Sequence, residues 1–124
     1  MREVVEKFWE LFDEKRYMET KYLFHDDCVV FMETSRERFD DIDLYLQMNC
    51  DYPGKWRTVL KKIIETEDEI VTLVHVFSSD SSSGEEHYVT TTYRFKEGLI
   101  YEMKEYWGII EDQPDWRKKY SVKC

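Results

Sequence analysis

Apolar residues recur at three- and four-residue steps from Val4 through Phe8 and Trp9 to Phe12, with Glu and Lys filling the positions between them. That spacing predicts an amphipathic helix over 3–14. Lys15-Arg16 breaks the stripe, and a second short helix is expected from about Tyr17 to Phe24, carrying Met18, Tyr22 and Leu23. His25-Asp26-Asp27 are turn formers that should end it. Cys28-Val29-Val30-Phe31-Met32 is an unbroken apolar run of strand length. Ser35 to Phe39 is expected as an edge strand, with Arg36 and Arg38 guarding it against further pairing. Asp40 or Asp41 can cap a third helix, where Asp43 favours the positive end of the dipole. Its inward positions are Ile42, Tyr45, Leu46 and Met48, and it must stop before Tyr52-Pro53-Gly54, good chemistry for a type II turn.

From Trp56 the pattern changes to strand. Residues 56–66 and 70–78 are two strands separated by Glu67-Asp68-Glu69, and 79–86 is a polar loop expected to be the most mobile part of the chain. The stretch 85–108 then reads as a hairpin turning at Lys96-Glu97-Gly98, with Gly98 free to take the positive φ of a three-residue turn. Pairing Phe95 with Leu99 sets Thr91 opposite Met103, Val89 opposite Glu105, and His87 opposite Trp107. One face then carries His87, Val89, Thr91, Tyr93, Tyr101, Met103, Glu105 and Trp107, apolar but for a lone carboxylate. The other mixes charge with hydroxyls: Tyr88, Thr90, Thr92, Arg94, Glu102, Lys104 and Tyr106. Three helices interleaved with a short hairpin, followed by four consecutive strands, argue for an α+β fold with helices on one face of an antiparallel sheet.

A chain of 124 residues is one domain by length. Its net charge of -9 and pI of about 4.8 argue against nucleic acid and anionic membrane as partners. Cys28, Cys50 and Cys124 have no metal-type spacing and fit a reducing compartment, so the cytoplasm is the default location. The charges threaded through the N-terminal apolar residues suit neither a signal peptide nor a spanning helix. Asp26-Asp27 has no third ligand at a useful spacing, so capping and turn roles are expected there and no metal or cofactor is.

The stretches FWELFDEKRYMETKYLFHDDCVVF and YRFKEGLIYEMKEYW, in this order of elements, resemble the superfamily of nuclear transport factor two, the SnoaL-like polyketide cyclases and the ketosteroid isomerases. The resemblance spans about 3–108, a single SnoaL-like domain, and 109–124 looks like an extension of the same domain. It implies a cone-shaped, curved, mixed but mostly antiparallel sheet of the cystatin-like type, with three helices roofing an apolar pocket. It also implies a homodimer through the outer sheet face. By position, the isomerase tyrosine falls on Phe8, its base on Met32 and its oxyanion acid on Thr91. Phenyl and thioether groups cannot do that chemistry and a threonine does it weakly, so ketosteroid isomerisation is not expected.

The same transfer turns Val71, Leu73, His75 and Phe77 into the pocket. Its expected lining is Phe8, Phe12, Met32, Tyr45, Met48, Trp56, Phe77, Val89, Thr91, Met103 and Trp107, with His87 nearer the rim. Glu105, buried among rings and thioethers, should resist ionisation; His75 is its expected proton partner, the alternative being a satisfied buried pair with a tyrosine or histidine or a place near the mouth in water. Three readings stay open. The first is a binder of a small apolar or aromatic molecule anchored by Glu105, His75 and Thr91. The second is a lyase, cyclase or isomerase using Glu105 and His75 as an acid–base pair. The third is a dimeric interaction module whose cavity is filled by its own side chains.

Overall fold

Alternation of apolar and polar residues decides which side of each element is buried, and the structure, a computed structural model describing residues 1–80 and 84–124, follows it closely. Helix α1 (Arg2–Asp13) buries Val5, Phe8, Trp9, Leu11 and Phe12. It ends at Lys15, whose φ of 61° turns the chain away. Asp13 at its last turn accepts from Arg57 Nε and Nη2 at 2.9 and 3.0 Å and from the Thr58 backbone N–H at 2.9 Å, which fastens the helix end to the sheet.

The expected second helix is a 3-10 helix, Met18–Leu23, and not a longer α-helix. A three-residue turn aligns positions three apart, so Thr20 and Leu23 are the buried pair while Met18 and Tyr22 face solvent. Strand β1 (Phe24–Met32) starts four residues earlier than the apolar run suggests and takes in His25, Asp26 and Asp27. Its pairing slips between Phe24 and Val29, so the turn-forming residues occupy an irregular stretch within the strand. Strand β2 (Glu37–Phe39) is the short edge. Asp41 is the cap of α2 (Ile42–Asp51), accepting from Asp43 N–H at 2.8 Å.

Strands β3 (Trp56–Glu65), β4 (Glu69–Ser78), β5 (Glu86–Lys96) and β6 (Leu99–Ile109) complete one six-stranded sheet in the order β2-β1-β6-β5-β4-β3. Every pairing is antiparallel except β1 with β6. Extra residues between Leu60 and Lys62 and beside Phe95 interrupt the ladders, and such bulges bend a strand and raise its twist. The curved sheet holds the core against α1 and α2, with Val30, Ile70, Val74, Val89, Tyr93, Ile100 and Met103 all sealed from solvent. The polar stretch 79–86 includes 81–83, so its expected mobility lies outside the described residues.

The β5–β6 hairpin differs from the expected register. Lys96 pairs with Leu99 across a two-residue turn in which Glu97 and Gly98 both have positive φ, 55° and 78°. A bulge follows, and from there Tyr93 faces Met103, Thr91 faces Glu105 and Val89 faces Trp107. The net slip is two residues, an even number, so the inward face survives. Only Tyr101, within the bulge, exchanges places with Ile100.

Strand β4 slips by one, and one residue flips a strand. His75 pairs with Tyr88, and Ile70, Thr72, Val74 and Val76 point inward in place of Val71, Leu73, His75 and Phe77. Apolar residues at both parities of this strand leave the alternation no phase to read.

Beyond β6, the Ile110 N–H donates to Glu86 O at 2.9 Å. The tail then folds on itself through a 3-10 turn at Asp115–Arg117 and bonds from Gln113 to Ser121.

Candidate functional site

Between the inner face of the sheet and the helices lies a cavity of about 260 Å³. Helix α1 supplies Trp9 and Phe12, the segment after it Tyr17, and α2 supplies Met48 and Asn49. Tyr52 and β3's Trp56 and Thr58 form one side, with Val76 of β4 and His87 of β5. Met32, Thr34 and Ser35 close the opposite side with Glu105 and Trp107 of β6.

Glu105 is the group around which the site is built. It is 2% exposed yet reaches the cavity wall. The parallel pairing of β1 with β6 sets Met32 beside it, and β5 sets Thr91 opposite it. From α2, Tyr45 donates its O–H to Glu105 Oε2 at 2.8 Å. Trp107 N–H approaches Oε1 at 3.5 Å, a long and weak bond. Burial pushes the Glu105 carboxyl up to about 7, against the opposing pull of these two donors. Burial, with the neighbouring acid, also holds the Tyr45 phenol well above its ordinary range, so Tyr45 stays a donor.

Behind the carboxylate stands a second polar group. Trp9 N–H donates to Tyr93 Oη at 2.7 Å, and Tyr93 Oη and Thr72 Oγ1 share a bond of 2.7 Å. Burial raises the Tyr93 phenol. Thr91 lies between the two groups, fully buried, and its hydroxyl makes no well-aligned hydrogen bond.

The expected proton partner is not there. His75 is on the outer face of β4, its ring against Phe77 at 4.9 Å and Tyr88 at 5.5 Å, with Nε2 3.4 Å from Glu86 Oε1. The one-residue slip of β4 is the cause, and it removes Phe77 from the cavity as well. Phe8, Val89 and Met103 are sealed in the core and do not line it. Thr91 does not reach the wall either, and Tyr45 acts through its bond to Glu105.

Phe12, Met32, Met48, Trp56 and Trp107 line the cavity. The sequence reading missed Trp9, Tyr17, Thr34, Ser35, Asn49, Tyr52, Thr58 and Val76, and placed His87 only at the rim. Helical spacing marks Trp9 as buried without distinguishing core from cavity wall. Thr34, Ser35 and Tyr52 are turn residues that carry no pattern at all. His87 does contact both Trp56 and Trp107, ring centres 5.9 and 5.8 Å apart.

The arrangement can offer a ligand one buried carboxyl that gains or loses a proton near neutrality, set among aromatic rings. It contains no second titrating carboxylate on the wall. Among the described residues no cluster of His, Cys, Asp and Glu could hold a metal ion. Burial pushes the Cys28 thiol up to about 12, while Cys50 and Cys124 are exposed.

No protein-family model matches the sequence, and no curated protein matches it. Solved structures do. A putative ketosteroid isomerase from Kribbella flavida superposes with a TM-score of 0.82 at 18% identity, covering 99% of this chain and 88% of that one. The chain has the nuclear transport factor two-like fold. An NTF-2 like protein of unknown function from Burkholderia xenovorans shares the fold with a TM-score of 0.80 at 18% identity, over 99% of this chain and 94% of that one. A protein of ketosteroid isomerase-like fold from Catenulispora acidiphila, solved in complex with trimethylamine, gives 0.71 at 10% identity over 84% of each chain. Among the described residues, no helix is long and apolar enough to cross a membrane.

Proposed function

We propose that this protein binds a small, largely apolar molecule in the cavity, with Glu105 as its polar anchor. The observation that carries the reading is the state of Glu105 itself. A buried carboxyl is costly unless its hydrogen-bonding capacity is used, and here Oε1 has only a long bond from Trp107. A ligand donor or acceptor at that oxygen would complete it. The cavity is smaller than the roughly 300–1,000 Å³ usual for drug-sized ligands, which favours a compact compound. A structure of the same fold with trimethylamine bound supports a ligand of that scale.

A second reading rests on the same carboxyl. A group pushed up to about 7 suits general acid or base work at neutral pH, so proton transfer in a lyase, cyclase or isomerase reaction would use Glu105 with Tyr45. His75 has no part in either reading. The outer face of β5 and β6, where Tyr88 and Tyr106 are exposed and Arg94 lies within 4 Å of both Glu69 and Glu102, is our assignment for a homodimer contact.

Fragment binding followed by tryptophan fluorescence tests the first reading, since Trp9, Trp56 and Trp107 all border the cavity. Bound fragments should quench that emission and raise the melting temperature. Glu105→Gln should weaken polar fragments by roughly tenfold, the scale of one hydrogen bond to a charged group. Failure of every small apolar fragment to enter would end the binding proposal. A turnover abolished in Glu105→Gln with binding retained would favour the enzyme.

A further inference from the structure

The charge around the cavity is one-sided. Trp9, Tyr17, Tyr52, Trp56 and Trp107 present rings, and Glu105 is the only acid among them. Among the described residues that line it there is no lysine and no arginine. An anionic ligand would meet a carboxylate and electron-rich ring faces with no cation to offset them. A positive charge would be attracted by both, because ring faces hold cations and do so most strongly when water is excluded.

Rings stand on several sides of the cavity, so a compact cation inside it is near more than one of them. Tyr52 and Trp56 meet edge to face at 76°, as do Phe12 and Tyr17 at 85°. Glu105 lies deep and Tyr52, 54% exposed, stands at the mouth. We propose that the ligand of this cavity is a small organic cation, a quaternary or protonated amine, held by the ring faces and the Glu105 carboxylate. This rests on the reading that the cavity binds a small molecule.

The proposal carries a pH signature. Tyr45 faces Glu105 from α2, Met32 from β1, Thr91 and Tyr93 from β5, and Trp107 from its own strand. None of these is a cation or a second acid. His87 also borders the cavity, with Nε2 3.4 Å from Glu85 Oε2, and its protonated form would oppose a cation. With the carboxyl pushed up to about 7, the site is neutral in acid and negative in base. Affinity for a permanent cation therefore rises with pH up to neutrality and then levels off. Binding on the acid side releases a proton to solvent. Between about pH 8 and about pH 5.5 the affinity should fall, with roughly thirtyfold as the limit reached when only the ionised site binds.

The test compares choline with its uncharged carbon isostere by calorimetry and tryptophan fluorescence, alongside the neutral dye Nile red. Near pH 8 choline should bind about tenfold or more tighter than the isostere. The preference should shrink near pH 5.5 to what the rings alone supply, and Glu105→Gln should remove the pH dependence and lower the preference near pH 8 to that same level. Tyr45→Phe, which keeps the acid and deletes its donor, should move the midpoint to higher pH. Equal or tighter binding of the isostere near pH 8 overturns the cation proposal and leaves the binding reading intact. So does a cation preference near pH 8 that is undiminished in Glu105→Gln, or a pH dependence lost only in His87→Gln. Exclusion of choline, isostere and dye alike overturns both.

Discussion

Tyr93 and Glu105 show how a single buried polar atom can be a liability or a hinge point of the design, depending on its partners. The Tyr93 oxygen joins Trp9 of α1 to Thr72 of β4, with every atom of the tyrosine sealed from solvent. Replacing it by Phe keeps the ring and strands the Trp9 N–H and the Thr72 hydroxyl, two buried groups left without a partner. Thermal or urea denaturation of Tyr93→Phe should show a loss of about 2–4 kcal/mol. A loss within about 0.5 kcal/mol, the range of an ordinary surface change, would mean the hydroxyl is not shared as drawn. The sequence names Tyr93 and Trp9 as inward residues, but nothing in it joins two residues 84 positions apart. Glu105 was legible in kind, as the lone acid on an apolar face. Its partner was not, since Tyr45 is equally at home as a plain core ring.

Among the elements, the β5–β6 turn sets which residues stand opposite Glu105. Its two central residues both have positive φ, Glu97 at 55° and Gly98 at 78°, a combination that matches the twist of adjoining strands. An alanine at Gly98 meets no neighbour within 4 Å, so its cost is conformational alone. Gly98→Ala should lose about 1–2 kcal/mol in denaturant unfolding with an unchanged slope. Gly108→Ala, equally free of neighbours but without the positive φ, is the control and should lose much less. The turn was visible from Gly98, whereas its length and the bulge after it were not, because both depend on how two strands twist together. The even slip preserved the face and so the placing of Glu105. The odd slip in β4 sent His75 to the outer surface. The difference lies in the residues: β5 and β6 alternate with polar groups, while β4 is apolar on both sides.

For the whole molecule, Glu105 and Asp13 tie stability to pH in opposite directions. The Glu105 carboxyl is raised from its ordinary 4.5 to about 7, so the folded state prefers it protonated. Its contribution is complete below about 4.5 and is lost as pH rises through about 7, a difference on the order of 3 kcal/mol. The Arg57 guanidinium holds Asp13 below its ordinary range. That contribution is present above the ordinary carboxylate value and disappears in acid. Chemical denaturation of the native protein should therefore show stability declining from about pH 5 to about pH 8. In Glu105→Gln that decline should shrink to what the net charge of -9 alone produces. Parallel curves for the two proteins would mean the carboxyl is not buried in the folded state. Local pattern alone determined the first and third helices, the four long strands, the inward face of the last hairpin and the presence of one acid on it, because periodicity is a property of neighbours along the chain. Tertiary structure decided the register of β4, the partner of Glu105 and the residues that surround the cavity. Those depend on sheet twist, bulges and contacts between segments tens of residues apart, which no alternation of apolar and polar positions encodes.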